Sequence, residues 1–381
     1  MLTSYLVTEW TDPITKAKGY VAFDSVVNGV AGGGIRMREG VTKEEVQRLA
    51  RTMTLKVAAL DQPIGGVKGG IDYPSTAPDS KEVLKRFLEA HKPILMHMWG
   101  TSEDLGTRKE DIEHIIVHDL GLQSSAEALL NKLDNKEMIM SNLNKGLQLS
   151  VDGIPIVEVA TGYGVSVATI EAVQWLGKDI NAATVSIQGF GSVGATTAKS
   201  LSKEGAKIVA VADVNGTIFH PDGLDIDLLL QAKDEKGNIH REMLPAEYEN
   251  LPRSAWLEQE VDVLIPAAIA DAINEDNQSS IKAQLIVEAA NIPVTEEAER
   301  ILFEKEVYVI PDFIANSGGG GIFGALMYKN VSPDVESILG YLNKQISGAT
   351  KSMLSQSAEQ KITPRQAAIQ QLDKDRVTLS E

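Results

Sequence analysis

The sequence contains no cysteine, and basic residues are in the minority. Without cysteine, neither disulfide bonds nor thiolate metal sites can form, and a reducing cytoplasm is the simplest expected location. Lys and Arg number 36 against 53 Asp and Glu, which gives a net charge of −17. A surface this acidic repels phosphate backbones and argues against general nucleic-acid binding, although a local basic pocket is compatible with it.

Long hydrophobic runs are also absent. The most apolar stretch, residues 261–273, contains Asp262 and Asp271 and is too short to cross a bilayer. The N-terminus lacks a basic segment followed by an apolar one, so it does not resemble a signal peptide. The sequence therefore predicts no membrane segment. Its 381 residues, 43% of them hydrophobic, suggest two domains with a sizeable core.

The first half of the chain predicts an α/β domain. Residues 42–60 have the apolar spacing of a helix, with Thr42 as N-cap and Glu45 as its capping-box partner. Residues 132–155 are polar and rich in asparagine, which predicts an irregular connection. The other predicted elements are strands at 19–24 and 94–98 and helices at 80–91 and 107–120.

The second half alternates short β-branched strands with helices, which predicts a doubly wound parallel sheet. Residues beyond 325 read as helical and are expected to return to the first domain, with the glycines of 318–321 as a hinge. The predicted domains are therefore 1–155 plus 325–381, and 156–324. The predicted strands of the second domain are 184–188, 207–212, 261–265, 284–287 and 307–310.

Residues 189–194 fit the pattern G-x-G-x-x-G between a predicted strand and a predicted helix. In that context the glycines permit a tight turn, backbone approach to a pyrophosphate and close helix–strand packing, with the phosphates at the helix N-terminus. The pattern therefore predicts a dinucleotide-binding domain of the Rossmann type. The predicted cofactor-binding residues of this loop are Gly189, Gly191, Ser192, Val193 and Gly194.

Asp213 lies nineteen residues after Gly194, at the end of the next predicted strand. A carboxylate at this place is expected to accept a hydrogen bond from the adenosine ribose 2′-OH and to repel a 2′-phosphate. No arginine stands nearby in the sequence, so NAD is favoured over NADP. The alternative is that Asp213 is a turn residue of Asp-Val-Asn-Gly.

Lys56 and Lys68, twelve residues apart, are candidate site residues of the first domain. Glycine permits positive φ and close approach of a ligand, and four glycines flank Lys68. A lysine that is partly desolvated or close to another lysine gives up its proton more readily and can act as a base. The alternative is a surface glycine-rich turn with a solvated lysine. The four glycines are Gly65, Gly66, Gly69 and Gly70.

Asp104 follows the predicted strand at 94–98, in a loop. A carboxylate beside two lysines can exchange protons with a substrate. The alternative is that Asp104 is the N-cap of the helix that follows.

Together these segments resemble the amino-acid dehydrogenase family that includes the glutamate, leucine, phenylalanine and valine dehydrogenases. The resemblance covers residues 19–328 and keeps its motifs in order. These motifs are Gly-Gly-Gly-Ile-Arg36, residues 56–70, Glu103-Asp104-Leu-Gly106, Ala160-Thr-Gly-Tyr-Gly164, the dinucleotide loop, Leu264-Ile-Pro-Ala-Ala268, Glu288-Ala-Ala-Asn291 and Ala315-Asn316.

The resemblance implies an N-terminal substrate-binding domain, a Rossmann domain and the reversible, NAD(P)-dependent oxidative deamination of an L-amino acid to a 2-oxo acid and ammonia. By position, Lys56 would hold the substrate α-carboxylate, Lys68 would activate the water that attacks the imine, and Asp104 would exchange protons with the amine. A homo-oligomer is expected, and no metal is required. The remaining cofactor residues implied by the motifs are Thr161, Ala267, Asn291 and Asn316, the last at the mouth of the cleft.

Two positions depart from the pattern of the glutamate-specific members. Gly32 stands where those enzymes have a lysine that pairs with the substrate side-chain carboxylate, and Phe323 stands near their serine. An unpaired buried carboxylate is costly, so an apolar or aromatic amino acid is the expected substrate. The predicted substrate-binding residues are Lys56, Gly32, Gly33, Met53 and Phe323.

Two alternatives accompany this prediction. The first is a glutamate dehydrogenase with other carboxylate partners, for which Arg36, Arg38 and His97 are candidates. The second is a catalytically silent NAD-binding relative that kept the fold. The presence of both lysines and of Asp104 argues against silence.

Overall fold

The computed structural model describes residues 4–234 and 237–379, with side chains through residue 373. Within them the chain forms two compact units: the described residues up to Ser141, joined by residues 376–379, and Asn142–Asp375. This division differs from the predicted boundaries at 155 and 325. Residues from 325 to 375 belong to the second unit because the helix Val335–Gln360 packs against the helix Ile156–Trp175 of that unit.

The first unit contains a mixed six-stranded sheet in the order β1-β2-β5-β3-β6, with β4 also paired to β5. A π-helix, Ile115–Asp119, continues α4. The strands are β1 (Leu6–Thr11), β2 (Lys18–Phe23), β3 (Ala31–Gly32), β4 (Ile35–Arg38), β5 (Gly65–Asp72) and β6 (Trp99–Gly100). The helices are α1 (Lys43–Ala59), α2 (Ser80–Ala90), α3 (Lys92–His97), α4 (Lys109–His114), α5 (Glu127–Leu130) and α6 (Lys136–Leu147), which runs into the second unit.

Helix α1 forms as its sequence predicts. The Thr42 hydroxyl accepts a hydrogen bond from the Glu45 backbone N–H at 3.2 Å, which satisfies one of the free donors of the first turn. Its buried side chains recur at helical spacing and face the sheet. These buried apolar side chains are Val46, Leu49, Ala50, Leu55 and Val57.

Two predictions for the first half are wrong. Residues 94–98 are not a strand but belong largely to α3, which has Pro93 in its first turn, where a missing N–H costs nothing. Periodicity alone cannot separate a short apolar run in a buried helix from one in a strand. Residues 132–155 are not irregular throughout, since they contain α6.

Lys68 lies on a buried strand, β5, and not on an open glycine loop. A Cβ built on Gly66 would lie 2.1 Å from the Thr54 backbone N, and one on Gly70 would lie 2.3 Å from Val46 Cγ2. The glycines therefore let α1 approach the strand closely. Since side chains alternate along a strand, Lys68 points to the same face, toward α1.

The second unit contains a seven-stranded sheet. The 3₁₀ helices are Ile180–Ala182, Arg241–Met243, Arg253–Glu258 and Gln278–Ser280. The strands are β7 (Ser150–Val151) and β8 (Ile154–Pro155), which form a separate hairpin, and β9 (Thr184–Gln188), β10 (Lys207–Asp213), β11 (Gly216–Phe219), β12 (Glu249–Leu251), β13 (Val263–Pro266), β14 (Leu285–Val287) and β15 (Tyr308–Ile310). The helices are α7 (Ile156–Trp175), α8 (Ser192–Lys203), α9 (Ile226–Gln231), α10 (Glu296–Glu304), α11 (Asp312–Ala315), α12 (Gly318–Tyr328), α13 (Val335–Gln360) and α14 (Pro364–Leu379).

The order of the large sheet is β12-β11-β10-β9-β13-β14-β15. Strands β10, β9, β13, β14 and β15 are parallel, while β11 and β12 add an antiparallel edge. The chain leaves β9 toward β10 and later returns to β13 on the other side, so the C-terminal end of β9 is a topological switch point, where such sheets bind ligands. The predicted α/β fold with a Rossmann-type doubly wound domain is confirmed.

Helix α7 is long and apolar enough to cross a membrane by length and composition alone. However, 61% of its most apolar window is buried within the protein. It packs against α8, α12 and α13, so its composition is that of a core helix.

The predicted hinge at 318–321 is the first turn of α12. A Cβ on Gly318 would lie 2.0 Å from the Ala160 carbonyl oxygen, and one on Gly319 would lie 2.6 Å from Thr161 Oγ1. These glycines therefore allow α12 to pack directly on α7.

A buried ionic cluster fixes the start of α14 to the large sheet. Arg365 lies 2.6 Å from both Glu288 Oε2 and Glu299 Oε2 and 3.5 Å from Asp312 Oδ1. Burial raises the pKa of Glu288 to about 8, against the attraction of Arg365 and with reinforcement from the two neighbouring carboxylates. Three acids share one guanidinium, so the cluster holds a proton at neutral pH.

We expect Gly66→Ala to destabilise the protein by about 3 kcal/mol, because the new methyl group would collide with the backbone of α1. The matched control is Gly348→Ala on α13, where a Cβ meets no atom within 4 Å. Removing that helical glycine should stabilise the protein by up to about 1 kcal/mol. Chemical denaturation measures both changes, and equal effects would contradict the packing role of Gly66.

Glu288→Gln should change how stability depends on pH. The pKa of Glu288 is 4.5 in the unfolded chain and is raised to about 8 in the fold. The bound proton therefore contributes its full stabilisation below pH 4.5, and this contribution is lost as the pH rises through the folded-state pKa. Glutamine cannot ionise, so the stability of the Glu288→Gln variant relative to the wild type should rise steadily between pH 4.5 and about 8. Thermal unfolding at stepped pH measures the difference, and a constant difference would refute the buried proton.

Candidate functional site

The first unit brings Lys68, Asp104 and Arg36 into one ionic cluster. Lys68 Nζ donates to Asp104 Oδ1 at 2.8 Å, and Arg36 Nε donates to Asp104 Oδ2, also at 2.8 Å. Lys68 is buried on β5, Arg36 comes from the neighbouring strand β4, and Asp104 lies in the loop after β6. Parallel pairing of β4 with β5 places Arg36 opposite Gly70, two residues from Lys68 and on the same face.

The Asp104 loop is fixed by Thr107. The Asp104 backbone N–H donates to Thr107 Oγ1 at 3.0 Å, and this hydroxyl donates to the Ile35 carbonyl at 2.7 Å. Helix α4 begins later, with Arg108 at its N-cap position. Asp104 is therefore not the N-cap of that helix, and its carboxylate serves the cluster instead.

The cluster keeps Asp104 ionised. Burial by itself would raise the pKa of Asp104, but the charges of Lys68 and Arg36 and their hydrogen bonds outweigh it and hold that pKa well below its usual range. An ionised carboxylate can accept hydrogen bonds from a cationic ligand group, and it becomes a stronger base only when one of its two cationic partners moves away.

From the sequence, Arg36 is predicted only as an alternative partner of a substrate side-chain carboxylate. In the structure it connects Asp104 to α1. Arg36 Nη1 lies 2.9 Å from Glu45 Oε1, and Arg38 Nη2 lies 2.6 Å from Glu45 Oε2. The signal that could have identified this role is the spacing of Arg36 and Arg38, which places both side chains on one face of β4. His97 is exposed at the end of α3.

The other predicted substrate residues of the first unit lie on or near the same helix. Lys56 is in the last turn of α1, the helix that covers the Lys68 face of β5. A Cβ on Gly33 would lie 3.3 Å from Met53 Cγ, so these two predicted residues are adjacent. A Cβ on Gly32 would meet Ile64 Cδ1 at 3.1 Å. This neighbour is an apolar side chain.

The dinucleotide loop has the geometry that its glycines predict. Gly189 has φ +92°, and a Cβ on Gly194 would lie 2.0 Å from the Gly189 carbonyl oxygen. Gly191 is the N-cap of α8, and a Cβ there would meet no atom within 4 Å. The loop is therefore closed at Gly194 and leaves space where a Gly191 side chain would point, while the segment at Gly237 approaches the Gly191 backbone N from another direction. The free space at the N-terminus of α8 fits the approach of a pyrophosphate.

The remaining predicted cofactor residues surround this loop. Ser192 is exposed and Val193 half-buried in the first turn of α8. Ala267, after β13, donates its backbone N–H to the Gln188 carbonyl at 2.8 Å and lies against Gly189 and Gly194. These positions therefore meet at the switch point of the sheet.

Asn316 and Asn291 are brought together after the last two strands. Asn316 Nδ2 donates to the carbonyls of Ala289 and Ala290 at 3.1 Å and lies 3.3 Å from Asn291 Oδ1. Asn316 Oδ1 is buried and has no hydrogen-bond partner in the described part of the chain. A buried acceptor of this kind suits a ligand N–H such as that of a carboxamide.

Thr161 lies on α7 and donates its hydroxyl to the Val157 carbonyl at 3.2 Å. Phe323 is half-buried on α12, in the second unit. Their contacts with cofactor and substrate stay predictions. Within residues 4–234 and 237–379, no three acidic or histidine side chains form a group that could hold a metal ion.

Asp213 is buried at the end of β10, as predicted, but the statement that no arginine stands nearby is wrong. Both terminal nitrogens of Arg241 donate to its carboxylate, one of them at 2.7 Å. The backbone N–H groups of Asn215 and Ile239 donate to it at 2.8 Å. Burial would raise the pKa of Asp213, but these hydrogen bonds hold it below its ordinary value. The sequence separation of 28 residues conceals this contact.

Comparisons with known proteins agree with this arrangement. Residues 153–376 match the family model "Glutamate/Leucine/Phenylalanine/Valine dehydrogenase", and residues 4–118 match "Glu/Leu/Phe/Val dehydrogenase, dimerisation domain". A glutamate dehydrogenase of Thermotoga maritima is 32% identical over 92% of this chain and 82% of its own length. Two proteins of Halobacterium salinarum, named NADP-specific glutamate dehydrogenase A1 and NAD-specific glutamate dehydrogenase A, are each 35% identical over 79% of this chain and over 70% and 66% of their own lengths.

Solved structures share the fold. A hetero-hexameric glutamate dehydrogenase from Thermus thermophilus, in a Leu-bound form, has a TM-score of 0.77 and 24% identity over 97% of this chain and 89% of its own. An L-tryptophan dehydrogenase from Nostoc punctiforme has a TM-score of 0.65 and 19% identity over 98% and 96%. With matches that cover both parts of the sequence, this chain belongs to the glutamate/leucine/phenylalanine/valine dehydrogenase family.

Proposed function

We propose that this protein is an NAD-dependent L-amino-acid dehydrogenase that interconverts an L-amino acid with its 2-oxo acid and ammonia. The observation that carries the proposal is the buried contact of Lys68 with Asp104, supported by Arg36. It combines a cationic donor, which suits a substrate oxygen, with an ionised carboxylate, which suits an amine.

In the proposed reaction, Lys56 pairs with the substrate α-carboxylate. Asp104, which Lys68 and Arg36 keep ionised, is the carboxylate that accepts a proton from the substrate ammonium, and its basicity rises when one of these cations turns to the substrate instead. A nicotinamide cofactor, held by the glycine loop at Gly189, Gly191 and Gly194, would supply the hydride acceptor for the substrate α-carbon. Lys68 then orients water toward the resulting iminium carbon and stabilises the oxygen that becomes the 2-oxo group. One proton of this water leaves on the nitrogen as ammonia, and the other is released to the solvent.

The cofactor is supported by the glycine loop and by the buried Asn316 Oδ1 acceptor. The placement of Asp213 at the end of β10, next to the position of the adenosine ribose, supports NAD only as far as its pairing with Arg241 leaves a carboxylate oxygen to the 2′-hydroxyl. Residues Gly189, Gly191 and Gly194 would hold the pyrophosphate.

An apolar or aromatic substrate is favoured by the first unit. Gly32 supplies no charge, and its nearest side-chain neighbour is Ile64. The arginines that could have replaced a pocket lysine are paired with acids: Arg36 with Asp104 and Glu45, and Arg38 with Glu45. Phe323, on α12 of the second unit, stays a predicted substrate-binding residue.

Glutamate is the second candidate substrate, because the relatives at 32% and 35% identity are named glutamate dehydrogenases. The match of residues 4–118 to a dimerisation domain supports a homo-oligomer. The absence of cysteine supports a cytoplasmic protein.

The substrate prediction is tested by initial rates of NADH formation with each of the twenty L-amino acids, and by ammonia-dependent NADH oxidation with the matching 2-oxo acids. We expect turnover of leucine, valine, phenylalanine or tryptophan with little on glutamate. Turnover of glutamate alone would refute the apolar pocket. Cofactor binding without turnover of any amino acid would favour the catalytically silent relative.

Lys68→Ala should lower kcat at least 1,000-fold, on the order of 4 kcal/mol in the barrier, and leave NADH binding nearly unchanged. Arg36 still compensates Asp104 in this variant, so the fold should persist. Lys85→Ala is the matched control, because it removes another lysine of the first unit that lies 2.8 Å from an aspartate, Asp119. Loss of both turnover and NADH binding in Lys68→Ala would show that Lys68 is structural.

A further inference from the structure

The carboxylate of Asp213 is fully occupied. Oδ1 accepts hydrogen bonds from the Asn215 backbone at 2.8 Å and from Arg241 Nη2 at 2.7 Å. Oδ2 accepts from the Ile239 backbone at 2.8 Å and from Arg241 Nη1. A carboxylate offers about four acceptor sites. The ribose hydroxyl of a cofactor must therefore share or displace a partner before it can bind here.

Arg241 is equally constrained. Its Nη1 also donates to the Ile239 carbonyl at 2.7 Å, and its Nη2 donates to the Gly216 carbonyl at 3.2 Å. These bonds bind the Arg241–Met243 helix to the turn between β10 and β11. The guanidinium is therefore held against the carboxylate from both sides, and the two charges cancel.

This neutral pair lies next to the dinucleotide loop. Strands β10 and β9 are parallel neighbours, with Ala212 opposite Gln188, and Gly189 donates its N–H to the Ala212 carbonyl at 2.7 Å. The segment that leads to Arg241 also reaches the loop, because a Cβ on Gly237 would lie 2.9 Å from the Gly191 backbone N. In a doubly wound fold this is the place of the adenosine ribose.

The electrostatic consequence concerns the 2′ position. A free carboxylate repels a 2′-phosphate, and like charges brought together cost several kcal/mol. A carboxylate paired with an arginine exerts no such net repulsion, so a 2′-phosphate beside the pair is not rejected. We infer that Arg241 sets cofactor selectivity: by neutralising Asp213, it lets the site accept the 2′-phosphate of NADP as well as the 2′-hydroxyl of NAD.

This role of Arg241 rests on the proposed function only in that the bound dinucleotide serves the proposed reaction. Cofactor binding itself can be measured without an amino acid. Calorimetry would compare ADP with 2′-phospho-ADP, which differs from it only in the 2′-phosphate, and fluorescence would compare NADH with NADPH, on the full chain. In the wild type, the affinities within each pair should differ by about tenfold or less. Such a factor corresponds to about 1.4 kcal/mol.

Arg241→Gln exposes the charge of Asp213, so affinity for the 2′-phosphorylated ligands should fall at least tenfold, while that for ADP and NADH changes less than threefold. Asp213→Asn releases the charge of Arg241 and should shift the ratio in the opposite direction. Arg300→Gln on α10 is the matched control, because it removes an arginine paired with Glu297 and Glu304. It should leave both affinities unchanged. Thermal unfolding of each variant checks that it is folded.

Opposite shifts in the two variants support the selectivity role. Equal loss of both ligand classes in Arg241→Gln would show a merely structural residue, and a wild type that prefers NADH over NADPH by more than 1,000-fold would overturn the inference. Absence of binding for all four ligands would overturn it together with the cofactor site. If the ligands bind as expected but no amino acid is turned over, the proposed reaction fails and the selectivity role stands.

Discussion

The contact between α1 and β5 is the constraint on which the first unit depends. At Gly66 the backbones of helix and strand approach so closely that a methyl group would collide with the Thr54 backbone N, and at Gly70 the Val46 side chain fills the space of the missing side chain. Lys68 lies between these glycines on the same face, and its long side chain must leave the contact to reach Asp104. The glycines therefore serve the chemistry indirectly, because they fix the strand from which Lys68 extends.

Buried charge is organised in the same way in both units: each strongly buried acid is held by an arginine from another element. Arg36 supports Asp104, Arg241 supports Asp213, and Arg365 joins Glu288 to its two neighbours. The protonation states differ because the ratio of charges differs. Two cations face the single carboxylate of Asp104 and keep it ionised, whereas three acids compete for Arg365 and Glu288 retains a proton. Charge balance, rather than burial alone, decides the outcome.

Much of the fold was predictable from local signals. The N-cap at Thr42, the β-branched strands of the second unit and the glycine pattern at 189–194 each depend on residues that are close in sequence, so one chain suffices to recognise them. The predicted capping-box role of Glu45 is not among them, since its carboxylate pairs with Arg36 and Arg38. The predictions that failed depended on contacts with distant residues. The apolar residues of α3 suit a buried strand equally well, and the helices beyond residue 325 could not be assigned to a unit before their packing on α7 was known.

The candidate site also has features that the sequence predicts and features that only long-range contacts decide. The sequence by itself determined which residue types are available: Lys56, Lys68 and Asp104 with the motifs around them, and Asp213 after its strand. Only the tertiary structure decided their partners, since Arg36 reaches Asp104 across 68 residues of sequence and Arg241 reaches Asp213 across 28. The sequence gives the identity of each residue directly, whereas the charge state and hydrogen-bonding capacity of a buried group depend on the groups that the fold places beside it.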